Sequence, residues 1–595
     1  MRPTNTGLLA CALLALGLAG TARAACDVVM TEMPVKMVGM RPIASVGING
    51  TPVTLLVDSG AIYSMLMRST ATDLNLPLRR LPFPIYGVNG RIPDARMTTV
   101  EHLKLLDGDL PDIDFMVAGN EIGETALGVI GRDILAAVDT EYDLAHGVVR
   151  FVRASGDCDH TNMAYWAGDT PVSAVDLLAG HTPMGNPEIR ATIKVNDEDM
   201  TALFDTGAAT TVTLRAAHRA GIQDADMKPG DTSYGAGRGK SRTWSADFTS
   251  VSLGGETVRH NRLRVADFGV TEDDMLIGVD FFLSHRIYVS KKQRKMYFTY
   301  NGGAVFAQNH DAAPAAAADA ASAADTLSAD EHARRGAASL SRNDLPAALA
   351  DLDRACAMEP ANASFLVTRA AIHVQMKHPA LALADLDASL RLAPAGVQAL
   401  LARAALHAGA HAHELAAADL VAADKLLSSQ ANEHAILATV YERNQMPDRA
   451  IPQWTQWIAA HPHDSRQEQA YNSRCWDRML LNRELDVAMK DCEEALDFDG
   501  RNWRNLDSRA WLWLRLGQPE NARADFDKAI RLHQDAGTSL YGRGILRLRQ
   551  GDSVGAHADF VAARAAEHDV DKMMRDFGLP LAPDAAEATA SAAAH

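Results

Sequence analysis

Asp58 and Asp205 are the residues of this chain best placed to do chemistry together. Each closes an apolar run and opens the same short turn, Leu56-Val57-Asp58-Ser59-Gly60-Ala61 and Leu203-Phe204-Asp205-Thr206-Gly207-Ala208. The offset is 147 residues, and residues 44–61 align on 191–208 without a gap. Val129-Ile130-Gly131-Arg132-Asp133 keeps the same offset to Leu276-Ile277-Gly278-Val279-Asp280. One carboxylate at a strand end means little, but two related by duplication predict a dyad completed where the copies meet. Two carboxyl groups a few ångströms apart cannot both ionise cheaply, so they share a proton. One then acts as base toward a bound water while the other, protonated, polarises a carbonyl. Gly60 and Gly207 let the chain turn sharply and bring backbone amides to the carboxylates. The hydroxyl of Ser59 or Thr206 can hydrogen-bond across to the other copy and lock the pair.

The elements around these turns read as strands, from about residue 38 to 300. Runs are short, rich in Val, Ile and Thr, and divided by turn signals. Asn49-Gly50 predicts a tight hairpin before Val53–Val57, and Asn196-Asp197 one before Met200–Phe204. Asn89-Gly90 predicts another hairpin, just after Tyr86-Gly87, whose counterpart in the second copy is the glycine-rich stretch Ser233–Gly239. Each copy ends in a strand, Val148–Val152 and Lys295–Thr299.

With these motifs in place, the two Asp-Ser/Thr-Gly-Ala turns resemble the active-site loop of aspartic proteases of the retropepsin-like kind. The two apolar-apolar-Gly segments at 129–131 and 276–278 resemble that family's second signature, 73 residues after the Asp in both copies. The units are too short for pepsin lobes. The resemblance therefore implies a retropepsin dimer fused into one chain, an all-β bilobal fold with Asp58 and Asp205 as catalytic residues. Ser59, Gly60, Thr206 and Gly207 would support the active-site loops. By the same resemblance, the hairpins at Tyr86, Gly87, Tyr234 and Gly235 are similar to the flap that closes over substrate and shields it from water. The second copy departs at Val279, where the first has Arg132, the residue that commonly supports the loop in the family.

Other candidates carry less. His407, His411 and His413 are read as surface histidines of Ala-rich helices rather than metal ligands. Gly235, Gly237 and Gly239 lack the Lys-Ser/Thr and helix of a phosphate loop. No cofactor and no metal are expected.

At 595 residues several domains are expected. A net charge of −17 without a clustered basic stripe argues against a nucleic-acid partner. Residues 1–24 read as a signal peptide: Arg2, an apolar stretch from Leu8 to Leu18, and Ala22-Arg23-Ala24 as a cleavage site. No later segment is long and apolar enough for a stable membrane span, so a periplasmic or secreted bacterial protein is expected. Cys26 and Cys158 bracket the first copy and are disulfide candidates in an oxidising space, as are Cys475 and Cys492. Cys356 is left over, a buried small hydrophobe.

Ala312 to Asp330 is too poor in large apolar residues to build a core. Beyond it Ala, Leu and Arg recur at helical spacing with a period of 34 residues: Asp351-Leu352-Asp353 returns at Asp385-Leu386-Asp387, and Arg369 at Arg403. Asp491, Asp525 and Asp559 keep the step, as do Arg509 and Arg543. These residues resemble tetratricopeptide repeats, about seven units with the third and fourth weak, which stack into an all-α solenoid. The expected domains are 1–24 signal peptide, 25–155 first lobe, 156–186 inter-lobe linker and 187–303 second lobe. An Ala-rich linker at 304–328, helical repeats at 329–570 and a disordered tail at 571–595 follow.

The function these readings imply is an exported aspartic endopeptidase. Its substrate is a peptide or protein, and its repeats recruit that substrate or a protein partner. The alternative is a non-catalytic peptide- or protein-binding scaffold on a protease fold, with the repeats as the working surface.

Overall fold

The computed structural model describes residues 26–87, 90–118, 126–180, 188–230, 241–268, 272–306 and 327–583. The chain divides into two compact units, Met1–Pro394 and Ala395–His595.

The first unit is built on the two hairpins that carry the aspartates. Arg41–Ile48 pairs with Thr51–Val57, and Arg190–Val195 with Glu198–Phe204. Both turns place two consecutive residues at positive φ: Asn49 (49°) with Gly50 (85°), and Asn196 (50°) with Asp197 (67°). Gly, Asn and Asp tolerate that region best, and the resulting turn matches the twist of the flanking strands. Val53, Leu55 and Val57 are buried on one side of their strand, as are Met200, Ala202 and Phe204 on theirs. Each hairpin then closes a barrel. In the first, Arg41–Ile48 also pairs with Arg96–Leu105, and in the second Arg190–Val195 pairs with Thr243–Leu253. Closure leaves no free sheet edge within the barrel.

One pairing fixes where the aspartates stand. Val57 lies parallel to Ile130, and Phe204 parallel to Ile277. Each Asp therefore emerges beside the Gly of the second signature.

The barrels are joined by a shared sheet. Asp139–Asp143 pairs with His285–Ser290 so that Glu141 lies opposite Tyr288, its own counterpart 147 residues on. The duplication thus has a local two-fold through this pair. Val148–Ser155 and Asp27–Val38 extend the sheet on one side, Lys295–Tyr300 and Ser173–Asp176 on the other. Glu141 is fully buried here between Arg150 and Arg286, 2.5 Å and 2.8 Å away, and accepts from the Tyr165 hydroxyl.

The structure moves several expected boundaries. Strands begin at Asp27 rather than near 38, because Asp27–Val38 is an integral member of the shared sheet. The 156–186 linker is ordered through Ser173–Asp176: Cys158 is bonded to Cys26, and Met163, Ala164 and Ala167 bury against Val152 and Tyr297. The 571–595 tail begins as part of a helix, Val570–Asp576, because Met574, Leu579 and Ala582 bury on the last helix pair. Ala582 N–H donates to Tyr541 Oη at 2.8 Å. Residues 584–595, like 1–25, lie outside the described residues.

Seven helix pairs run from Ala329 to Ala566, two in the first unit and five in the second. The 34-residue period of Arg and Asp has a physical basis. Arg335 clamps Asp351, Arg369 clamps Asp385, and Arg403, Arg509 and Arg543 clamp Asp419, Asp525 and Asp559, each 16 residues on and through two nitrogens. Arg474 and Asp491 do the same at a spacing of 17. In the fourth pair Leu437 and Gln453 stand at these places, and His434 Nδ1 meets Gln453 Oε1 at 2.6 Å instead. The fourth pair is thus held without the clamp.

The first helix pair is part of the barrel unit's core rather than a module on a tether. Ala337 and Ala338 bury in the same apolar cluster as Val35, Leu144 and Phe282. Arg342 Nη1 donates to Leu283 O at 3.1 Å, and the second pair joins in where Lys36 Nζ donates to Thr368 Oγ1 at 3.0 Å. Val305 and Phe306 are buried too, so the Ala-rich linker starts later than 304; residues 307–326 lie outside the described set.

Candidate active site

The two turns meet at the interface of the barrels. Asp58 N–H donates to Ile130 O at 3.0 Å and Asp205 N–H to Ile277 O at 2.8 Å, which anchors each turn to its own second signature. Gly60 and Ala61 N–H both donate to Asp58 Oδ1, at 2.9 and 2.8 Å. Gly207 N–H donates to Asp205 Oδ1 at 2.8 Å.

The glycines are explained by approach rather than by turning. Neither Gly60 nor Gly207 has a positive φ. A Cβ on Gly60 would sit 2.4 Å from Asp205 Cγ, and one on Gly207 2.4 Å from Asp58 Oδ2. Each glycine therefore packs against the carboxyl of the opposite barrel, where no side chain fits.

Beneath the carboxyls the hydroxyl residues interlock. Ser59 N–H donates to Thr206 Oγ1 and Thr206 N–H to Ser59 Oγ, both at 3.0 Å. Ser59 Oγ donates in turn to Phe204 O at 2.9 Å, and Thr206 Oγ1 to Val57 O at 2.7 Å. Both hydroxyls are buried, so all four bonds are sheltered from water.

The Asp58 and Asp205 carboxyls meet across the interface, each packed against the glycine of the opposite turn. Burial first, then the neighbouring Asp58 carboxyl, hold the Asp205 carboxyl well above the ordinary carboxylate range. The pair is thus set to keep one proton while presenting one anionic oxygen, which is what base-assisted attack of water on a polarised carbonyl requires.

A further layer escaped the sequence reading. Ser64 Oγ accepts from Gly131 N–H at 3.0 Å and donates to Asp133 at 2.7 Å. Thr210 Oγ1 accepts from Gly278 N–H at 2.8 Å and donates to Asp280 at 2.6 Å. Both aspartates were visible as part of the second signature, but their partners were masked by register. The first copy carries one extra residue after its turn, so an ungapped alignment sets Ser64 on Thr211 instead of Thr210.

The Arg132/Val279 difference resolves in a similar way. Backbone N–H of Arg132 donates to Ala61 O and that of Val279 to Ala208 O, both at 2.8 Å, so the two loops have equal main-chain support. The Arg132 side chain instead reaches toward Glu188 Oε1 of the second lobe, at 3.2 Å.

Of the flap residues, Tyr86 and Gly87 form one arm of a two-stranded hairpin with Gly90–Ile92, and Tyr86 is 59% exposed. Tyr234 and Gly235 lie outside the described residues. Both disulfide candidates are bonded pairs, Cys26–Cys158 and Cys475–Cys492, and Cys356 is a buried free thiol. His413 Nδ1 meets Asn444 Oδ1 at 2.8 Å. Among the described residues no cluster of three metal-binding side chains occurs, and no helix is long and apolar enough to cross a membrane.

Two closed barrels that each lend one Asp-Ser/Thr-Gly turn to a single carboxyl pair define a bilobal aspartic-protease scaffold. The family "gag-polyprotein putative aspartyl protease" matches the chain twice, over residues 44–137 and 191–284, and the two barrels are retropepsin-like units of that kind. The helical region is similar to solved tetratricopeptide-repeat structures. One is a tetratricopeptide repeat protein from Parabacteroides merdae, with 18% identity, 42% of this chain and 98% of that chain covered, and a TM-score of 0.34. Another is YrrB, described as a TPR protein with an unusual peptide-binding site, with 16% identity, 32% and 97% covered, and a TM-score of 0.29. Comparison with curated proteins finds no match.

Proposed function

We propose that this protein is an exported aspartic endopeptidase. Water held between the carboxyls attacks the peptide carbonyl carbon as its proton passes to Asp58, while Asp205 gives its proton to the carbonyl oxygen. Asp58 then passes its proton to the amide nitrogen while one hydroxyl of the diol returns a proton to Asp205, so that the C–N bond breaks, the acid and amine leave and the pair is restored. The observation that carries this reading is the meeting of the Asp58 and Asp205 carboxyls, each packed against a glycine of the opposite barrel. Two disulfide pairs, one spanning the first copy, favour an oxidising compartment and so export through residues 1–24. The helical repeats serve to recruit the protein substrate or a partner.

The test is cleavage of a diverse peptide library by residues 25–595, from about pH 4 to pH 8, beside Asp58→Asn and Asp205→Asn. Cleavage by the parent and none by either variant, with unchanged circular dichroism, is expected. Cleavage retained in both variants, or absent from all three, rejects the proposal in favour of a binding scaffold.

A further inference from the structure

Behind the active-site turns lies a cavity of about 390 Å³ that neither Asp58 nor Asp205 lines. It sits between Ser59, the short helix after Gly131 and the shared sheet. Leu135, Val138, Tyr142, Leu177 and Ile189 make its wall largely apolar. Pockets of roughly 300–1,000 Å³ with apolar walls and few polar groups are the usual form of small-molecule sites.

Four charged side chains line it, Arg132, Glu188, Lys291 and Arg294, and of these Arg132 alone is buried, at 3% exposed. Its Nε and Nη1 have no hydrogen-bond acceptor among the described residues; the 3.2 Å approach of Nη1 to Glu188 lacks hydrogen-bond alignment. Glu188 is also shared with Arg190, 3.7 Å away, which is itself paired with Asp273 at 2.7 Å. A buried guanidinium with two orphaned donors is costly, and an anionic oxygen is the acceptor that best offsets the cost. Lys291, on the same wall, is occupied by a hydrogen bond to Ala136 O and adds positive charge nearby.

We propose that this cavity binds a carboxylate carried on an apolar tail, with the carboxylate on Arg132 and the tail along Leu135, Val138 and Ile189. Two sources share that chemistry, a free aliphatic acid and the C-terminus of an apolar peptide. The inference stands apart from the proteolytic reading, since binding here does not need turnover.

The experiment is calorimetric titration of residues 25–595 carrying Asp205→Asn, so that hydrolysis plays no part. The probes are octanoate, octanol, and the peptide Leu-Val-Leu as free acid and as C-terminal amide. Saturable binding of either acid is expected, with its neutral analogue weaker by roughly tenfold or more, the value of a charge-assisted hydrogen bond. The stronger acid identifies the source. Arg132→Gln is expected to abolish the preference for acid over neutral analogue. Should that variant fold poorly, Val138→Trp, which fills the cavity and leaves Arg132 in place, is expected to abolish binding. Equal binding of acid and neutral analogue, no binding of either acid, or full binding by Val138→Trp overturns the proposal.

Discussion

Ser59 and Thr206 hold each other reciprocally across the barrel interface, each accepting the other's backbone N–H at 3.0 Å and donating to a carbonyl of the opposite strand. Removing one hydroxyl orphans a buried N–H and a buried carbonyl together. Ser59→Ala and Thr206→Val are each expected to cost about 2–4 kcal/mol, at about 1–3 kcal/mol per unsatisfied group with partial relaxation. Ser59→Thr, which restores the hydroxyl, is expected to cost far less. Urea titration followed by intrinsic fluorescence reads the difference.

Gly60 and Gly207 face the opposite carboxyls too closely for a methyl group. Gly60→Ala and Gly207→Ala are expected to displace Asp205 and Asp58 respectively. A displacement near 1 Å lowers turnover by about 100-fold or more. The check is kcat/KM on a peptide the parent cleaves, with circular dichroism to show the barrels intact.

The raised Asp205 titration has a definite sign. The folded state holds this proton more tightly than the unfolded chain, so stability falls as pH rises from about the ordinary value of 3.8 through the folded one. Asp205→Asn removes that penalty. Its thermal midpoint is expected to exceed the parent's at neutral pH and to converge with it below about pH 4. Equal midpoints at both pH values would contradict a shared, elevated proton. Hydrolysis by the parent is expected to decline as pH rises through the same transition, because the acid partner is lost.

The repeated clamp contributes stability chiefly by never leaving its aspartate unpaired. Arg509 is 26% exposed at its side chain and Asp525 only 9%. Arg509→Met is expected to destabilise the helical unit by about 2–3 kcal/mol, somewhat below the ~3–5 kcal/mol for breaking a fully buried pair because solvent reaches Arg509. Adding Asp525→Leu is expected to recover much of the loss. A double-mutant cycle in denaturant measures the coupling.

The disulfides close loops of very different length, 132 residues for Cys26–Cys158 and 17 for Cys475–Cys492. In the chain-entropy picture their removal costs about 5 and about 3 kcal/mol respectively. Cys26→Ser with Cys158→Ser is therefore expected to lower the barrel unit's melting midpoint more than the other pair lowers the helical unit's. Thiol counting on unfolded residues 25–595 is expected to find one free group, Cys356.

What the sequence determined by itself is whatever repeats or acts locally. The 147-residue duplication, the paired Asp-Ser/Thr-Gly turns, the Asn-led hairpins and the 34-residue Arg and Asp pattern are short-range signals. Backbone sterics and side-chain periodicity make such signals readable without a fold. Tertiary structure decided the rest. That Gly60 is required by Asp205 rather than by its own turn depends on a contact between barrels. So do the Ser59–Thr206 lock, the reach of Arg132 to Glu188, and the burial of Ala337 and Ala338 against Val35. Each joins residues far apart in the chain, where no periodicity constrains the partner and only packing selects it. The ordered segment after Cys158 and the helix at Val570–Asp576 belong to the same class. Their composition is polar or Ala-rich, and they are held by the surfaces they cover rather than by their own propensity.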